Sequence, residues 1–218
     1  MPVAAERPRP LVVAIDGPSG SGKSSVSRAV ARRLGLGYLD TGAMYRAATW
    51  TCLEAGLALD DKDAVAAQVV AMDLRMGTDP DAPTVHVGDV DVAQEIRTTR
   101  ISASVSAVAT NQAVRDELRR RQREIIAAEA AGRREGCVAE GRDITTVVAP
   151  DADARIMLTA SAEVRLARRG EQLGGTVGRQ DLTAQVVDRD AKDSTVVDFM
   201  TPAAGVGLVD SSELDLES

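Results

Sequence analysis

Gly17-Pro18-Ser19-Gly20-Ser21-Gly22-Lys23-Ser24 is the segment that most narrows the folds open to this chain. It satisfies G-x-x-x-x-G-K-[ST] and follows Leu11-Val12-Val13-Ala14-Ile15, an unbroken apolar, β-rich run. Such a run predicts a strand buried on both faces of a parallel sheet. The glycines let backbone N–H groups converge on phosphate oxygens, and a helix predicted from about Lys23 to Leu34 adds positive potential at its N-terminus. Lys23 would bridge the β- and γ-phosphates of a nucleoside triphosphate, and Ser24 would ligate Mg²⁺. Gly17 through Ser25 are therefore read as an ATP-phosphate site.

The rest of the chain alternates in the same way. Tyr38-Leu39-Asp40 predicts a second strand, and Gly42 to Ala55 a second helix. Cys137 to Ala139 and Ala154 to Leu158 predict further core strands, and Val206 to Val209 a last one. Helices are expected from about Thr99 to Thr110, Asn111 to Ala131, Ser161 to Arg169 and Asp181 to Asp193. This pattern predicts an α/β fold: a P-loop NTPase-type parallel sheet flanked by helices. Between about Met72 and Val92, Val85 and Val87 alternate with polar residues, Gly88-Asp89 turns, and Val90 and Val92 alternate again. That predicts a small antiparallel insertion.

Composition removes other chemistries. His86 is the single histidine, so any Ser-His-Asp triad would have to use it, and zinc-ligand clusters are missing. Cys52 and Cys137 are too few and too distant for a disulfide scaffold, and are expected as buried small hydrophobes in a reducing compartment. A net charge of −7 with 2% aromatics argues against a nucleic-acid polymer as partner. No apolar run is long enough to span a membrane, and Met1 to Pro10 reads as a disordered tail, so a soluble cytoplasmic protein is expected.

Among P-loop classes, guanine-reading switches use an Asn-Lys pair that this sequence lacks, and Leu173-Gly174-Gly175 is too partial for a transporter-ATPase signature. A small-molecule kinase is favoured by elimination; a nucleotide-dependent switch or a kinase for another acceptor stays open. Two segments suit the acceptor. Asp40-Thr41-Gly42-Ala43-Met44-Tyr45-Arg46 ends a strand and opens a helix, where Thr41 can hydrogen-bond a sugar or base and Arg46 a phosphate. Glu140-Gly141-Arg142-Asp143 follows a central strand, where doubly wound sheets bind ligands; Arg142 suits a phosphate, and Asp143 an amino group. The Arg119-Arg120-Arg121 and Arg123 run is expected to be a solvated helix face.

Ile15 to Ser24 followed by Leu39 to Arg46, together with Gly141 to Val148 and Pro150 through Glu163, resembles the bacterial cytidylate kinases. The similarity runs from about Leu11 to Asp193. It implies transfer of the γ-phosphoryl of ATP to CMP or dCMP with Mg²⁺, in a monomer with a single domain over 11–218. In that resemblance about 60–100 is an enlarged NMP-binding insertion and about 165–180 a lid. Thr41, Ser106, Arg115 and Asp143 then resemble cytidine-contacting residues, Arg46 and Arg142 acceptor-phosphate ligands, and Arg189 and Asp193 nucleotide-binding residues, Asp193 near the ribose. Lys23, Arg142 and Arg189 are the expected catalytic cations, and Arg168, with Arg165 and Arg169 where the lid begins, is expected to reach the ATP phosphates or the adenine. Two departures stand out: Thr145 replaces an expected glycine, and Thr195-Val196-Val197 lacks an expected arginine.

Overall fold

The computed structural model describes residues 10–132, 134–172, 183, 186 and 189–214. Five parallel strands form the central sheet: β1 (Leu11–Asp16), β2 (Gly37–Asp40), β6 (Gly136–Gly141), β7 (Ala154–Thr159) and β8 (Gly207–Asp210), in the order β2-β6-β1-β7-β8. β1 pairs with β6 over its whole length, Leu11 opposite Gly136 and Asp16 opposite Gly141. Both therefore end together, which brings the loop after β1 beside the segment after β6.

The alternation along β1 divides the core. Ala14 packs with Leu39, Cys137 and Ala139 under α2 (Thr41–Glu54), α3 (Lys62–Ala71) and α5 (Gln112–Ala131). Val13 and Ile15 face the other way, toward Ala31 of α1 (Lys23–Leu34), Leu36, Val138 and Leu158. Both cysteines are fully buried and free, as their apolar setting predicts, and burial pushes the Cys137 thiol up to about 12.

The insertion between α3 and α4 (Thr99–Ala109) is a three-stranded antiparallel sheet of β3 (Leu74–Met76), β4 (Val85–Val87) and β5 (Val90–Asp91). Val85, Val92 and Ile96 pack on Ala43 and Ala47, so α2 carries the core on one face and the insertion on another. The sequence pattern misses α3 altogether. Lys62-Asp63-Ala64-Val65-Ala66-Ala67-Gln68-Val69-Val70-Ala71 shows no clear polar stripe, yet the Asp61 side chain caps it by accepting from Ala64 N and Val65 and Val69 are fully buried. α6 (Ala162–Gln172) runs past the expected end at Arg169. Of the helix expected over 181–193, a short helix at Arg189–Asp193 is described; residues 1–9 of the expected tail 1–10 and 173–180 of the lid expected over about 165–180 lie outside the described residues. Among the described residues no helix is long and apolar enough to cross a membrane.

Candidate active site

The turn from β1 into α1 is held open by backbone conformations and contacts that suit glycine. Gly22 precedes the helix at φ 88°, in the left-handed region, so a side chain there would be strained. Gly20, at φ 78°, lies so close to α6 that a Cβ would sit 2.6 Å from the Arg165 carbonyl oxygen. The loop is thus packed between strand and helix backbones, a Cβ at Gly17 meeting the Leu158 carbonyl and one at Gly20 that of Arg165. Ser19, Gly20, Gly22, Lys23, Ser24 and Ser25 line one wall of a cleft of about 220 Å³. Gly17, Pro18 and Ser21 shape the loop from behind: the Pro18 carbonyl accepts from Lys23 Nζ at 2.7 Å, and the Ser21 carbonyl accepts from Ser211.

The opposite wall is cationic. Arg46, Arg97, Arg142 and Arg169 all line the cleft. Arg46 donates to the Ile96 carbonyl at 3.1 Å and to Ser102 Oγ at 2.9 Å, and Arg169 reaches the same hydroxyl at 3.5 Å. Ser102 of α4 therefore ties α2 to α6 above the phosphate loop. Burial, with Arg97 nearby, lowers the pKa of Arg169. Arg142 is held from three sides. It donates to Ser19 Oγ at 2.8 Å, pairs with Asp190 at 2.7 Å and Asp193 at 2.6 Å, and stacks 4.3 Å from the Phe199 ring centroid. Asp190 also takes Arg165 at 2.5 Å and accepts from the Ser19 backbone N–H.

Buried Glu140 and half-buried Lys23 oppose each other at the base of the cleft. Burial lowers Lys23 to about 8, with Arg142 acting in the same direction, while Glu140 and Asp190 act against the shift. Burial and the neighbouring Asp40 raise Glu140 to about 7, against the opposing pull of Lys23. Tyr38 donates to Glu140 at 2.5 Å, and Ser24 sits against both. Ser24 and the carboxylates of Asp40 and Glu140 thus put hard oxygen donors around one corner of the cleft.

A smaller cavity of about 60 Å³ adjoins the cleft through Gly42, Gly141 and Arg142, and Thr41, Arg115, Asp143 and Asp193 line it with apolar Val105 and Ala109. Thr41 is buried and donates to the Glu140 carbonyl at 2.7 Å. Arg115 donates to Asp143 Oδ2 at 2.8 Å and to the Ala109 carbonyl at 3.2 Å; its Nε, also buried, has no partner among the described residues. Asp193 bridges Ser106 (2.8 Å) and Arg142. Asp143 is set by the loop behind it. Asp16, at the end of β1, accepts from the backbone N–H groups of Ile144 (3.0 Å) and Thr145 (2.7 Å) and from the Thr145 hydroxyl (2.6 Å). The threonine that departs from the expected glycine is thus a buried anchor between the end of β1 and the segment after β6.

Arg168 lies outside both cavities and donates to Ser211 and to the Leu214 carbonyl, and Ser106 reaches the smaller cavity only through Asp193. Arg189 opens the short helix, and its side chain lies outside the described residues. The basic run of α5 is not a solvated face. Arg119 pairs with Asp143, Arg121 donates to the carbonyls of Val69, Val70 and Met72, and Arg123 donates to those of Val147 and Val148. Only Arg120 pairs solely within the exposed surface of its own helix, with Glu117 and Glu124. The reason for the correction is topological: α5 lies along the sheet, so successive arginines meet different carbonyl-rich loop ends. Sequence reasoning also missed Arg97, Ser102, Glu140 and Asp190; the last is signalled only by its i,i+3 spacing to Asp193 on one helix face.

Known proteins align with this arrangement from the phosphate loop to the last strand. The sequence pattern of the cytidylate kinase family matches residues 13–218. The cytidylate kinase of Nocardia farcinica is 52% identical over 213 residues, covering 95% of this chain and 89% of that protein. The cytidylate kinase of Cutibacterium acnes is 49% identical over 214 residues, covering 95% and 92%. The bifunctional pantoate ligase/cytidylate kinase of Trichormus variabilis is 46% identical over 196 residues, 87% of this chain and 36% of that longer protein. A match of this depth over nearly the whole chain, on a parallel sheet whose phosphate loop faces a second, arginine-lined wall, places the chain in the cytidylate kinase family.

Proposed function

We propose that the protein transfers the γ-phosphoryl group of ATP to CMP or dCMP, yielding ADP and CDP or dCDP. The observation that carries the choice of base is the Arg115–Asp143 pair in the smaller cavity. A carboxylate there accepts a hydrogen bond, and the unpartnered Arg115 Nε offers a buried donor. Cytosine presents the complementary edge, an amino donor beside ring acceptors, whereas uracil places a carbonyl where cytosine has its amino group.

The attacking group, an acceptor phosphate oxygen, is already anionic, so the reaction needs no histidine and no covalent nucleophile. What the site supplies is in-line placement and neutralisation of the transferring group's charge. The phosphate loop and Lys23 would hold the ATP phosphates, while Arg46 and Arg142, anchored across the cleft, would hold the acceptor phosphate. Arg97 and Arg169 add charge between them. Arrival of phosphate gives Arg142 a new anionic partner beside Asp190 and Asp193, whose carboxylates hold the guanidinium in place beforehand. The oxygen donors of Ser24, Asp40 and Glu140 suit Mg²⁺, and Ser24 with these carboxylates would hold it. When bound, the metal would neutralise charge on the β- and γ-oxygens.

The test is ADP release coupled to a reporter, with CMP, dCMP, UMP, AMP and dTMP as acceptors. CMP and dCMP should turn over with at least tenfold higher kcat/KM than the others. Turnover with none of the monophosphates, or preference for UMP or dTMP, would overturn the assignment.

A further inference from the structure

Asp143 is met from two directions. In front, it lines the smaller cavity with Arg115. Behind it stands Arg119, one helical turn further along α5 and outside that cavity's lining. Arg119 donates from Nε at 3.0 Å and from Nη2 at 2.8 Å, and both bonds fall on Asp143 Oδ2, the same oxygen that Arg115 reaches at 2.8 Å. Among the described residues no hydrogen bond is made to Oδ1. Arg119 and Asp143 are largely buried, at 14% and 6% side-chain exposure, so solvent does little to weaken the pair.

The consequence for the cavity is orientational. With Arg115 alone, the carboxylate plane could swing about its terminal torsion, which is broad, and the free oxygen would change direction. A guanidinium that donates through two of its nitrogens from behind opposes that rotation. It saturates Oδ2 and leaves Oδ1 as the acceptor for whatever enters. It also shares the Asp143 charge, so that Arg115 is not committed to Asp143 alone and keeps Nε for the incoming base.

We propose that Arg119 is a positioning residue for base recognition: it locks the Asp143 carboxylate so that one oxygen faces the amino group of cytosine. This rests on the reading of Asp143 as the base acceptor. The experiment is steady-state kinetics of Arg119→Leu and Arg119→Gln with CMP, UMP and ATP varied in turn, beside Asp143→Asn and with thermal melts of every variant. Arg119→Leu should raise KM for CMP by about tenfold or more, leave KM for ATP within about twofold, and lower the CMP-over-UMP ratio of kcat/KM by the same factor as the CMP loss. Arg119→Gln, which keeps a neutral donor at nearly the same reach, should fall between the two; it also carries the test should the leucine variant fail to fold. Parallel loss for CMP, UMP and ATP, or a fall in melting temperature with selectivity intact, would show a structural role only and overturn the proposal. Loss of selectivity in Asp143→Asn with none in either Arg119 variant would overturn the role of Arg119 while sparing that of Asp143. Unchanged selectivity in Asp143→Asn would overturn the base-acceptor reading itself.

Discussion

Lys23 is half-buried at the foot of the cleft, and desolvation there holds its pKa near 8 rather than the usual 10.5. In the free protein its nearest partner is the neutral Pro18 carbonyl, with Glu140 and Asp190 supplying charge nearby. ATP would bring several negative oxygens to the same ammonium and return its pKa to the ordinary value or higher. The gap corresponds to about 3 kcal/mol of coupling between proton and nucleotide. The sign follows directly: binding favours the charged lysine, so ATP takes up a proton wherever the free protein has lost one. At pH 8.5 about three-quarters of the free lysine is neutral, so ATP should bind with uptake of roughly 0.7 proton, against about 0.1 at pH 7. Above pH 8 ATP affinity should fall toward tenfold per pH unit. Isothermal titration calorimetry at pH 8.5, in two buffers of different ionisation enthalpy, measures the uptake directly. The terminal phosphate of ATP is fully ionised there, and Lys23→Arg carries a charge that does not titrate. Absence of uptake in the native protein would refute the reasoning. So would uptake that persists in Lys23→Arg, since it would place the proton on Glu140 instead.

Two stability predictions follow from anchors away from the phosphates. Thr145→Val removes one of three hydrogen bonds to buried Asp16, the shortest of them at 2.6 Å, and should cost about 1.5–3 kcal/mol. In a thermal melt that is a drop of roughly 3–12 °C, and an unchanged melting point would show that the hydroxyl contributes nothing. Arg121→Met removes a side-chain donor shared by three carbonyls at the end of α3, of which those of Val69 and Met72 keep a backbone donor, and leaves Glu117 with Arg120 as its remaining partner. Denaturant unfolding should show a loss of about 1–3 kcal/mol, with faster amide exchange concentrated in α3. Exchange rising uniformly across the protein instead would show that the arginine does not act as a local cap.

The features legible from residue order are those whose physical cause is local. A buried strand, three glycines at fixed offsets and a lysine at the helix start are contiguous, and their conformational demands act over a few residues, so Leu11 to Ser24 could be read before any contact was known. The same holds for β6 and its polar end, where alternation of burial and strand position together bring Arg142 and Asp143 to the crevice. α3 escaped because alanine and valine without a clear polar stripe leave the period undetermined, and its burial is set by α2 and α5.

The division of labour among the arginines has a different origin. Arg115, Arg119, Arg121 and Arg123 are alike as letters on one helix. What separates them is the loop that each meets across the chain: Asp143 for the first two, the end of α3 for the third and the turn before β7 for the fourth. Likewise Glu140 and Lys23 depart from their ordinary titration because burial beside the paired ends of β1 and β6 disfavours their charged forms, against the attraction between them. Burial and charge pairing between residues distant in the chain, 24 positions for Arg119 and Asp143 and 48 for Arg142 and Asp190, are properties of the packed sheet. No window of the sequence contains both partners, which is why the phosphate loop could be named from its residues while the carboxylates that hold its arginines had to be seen in place.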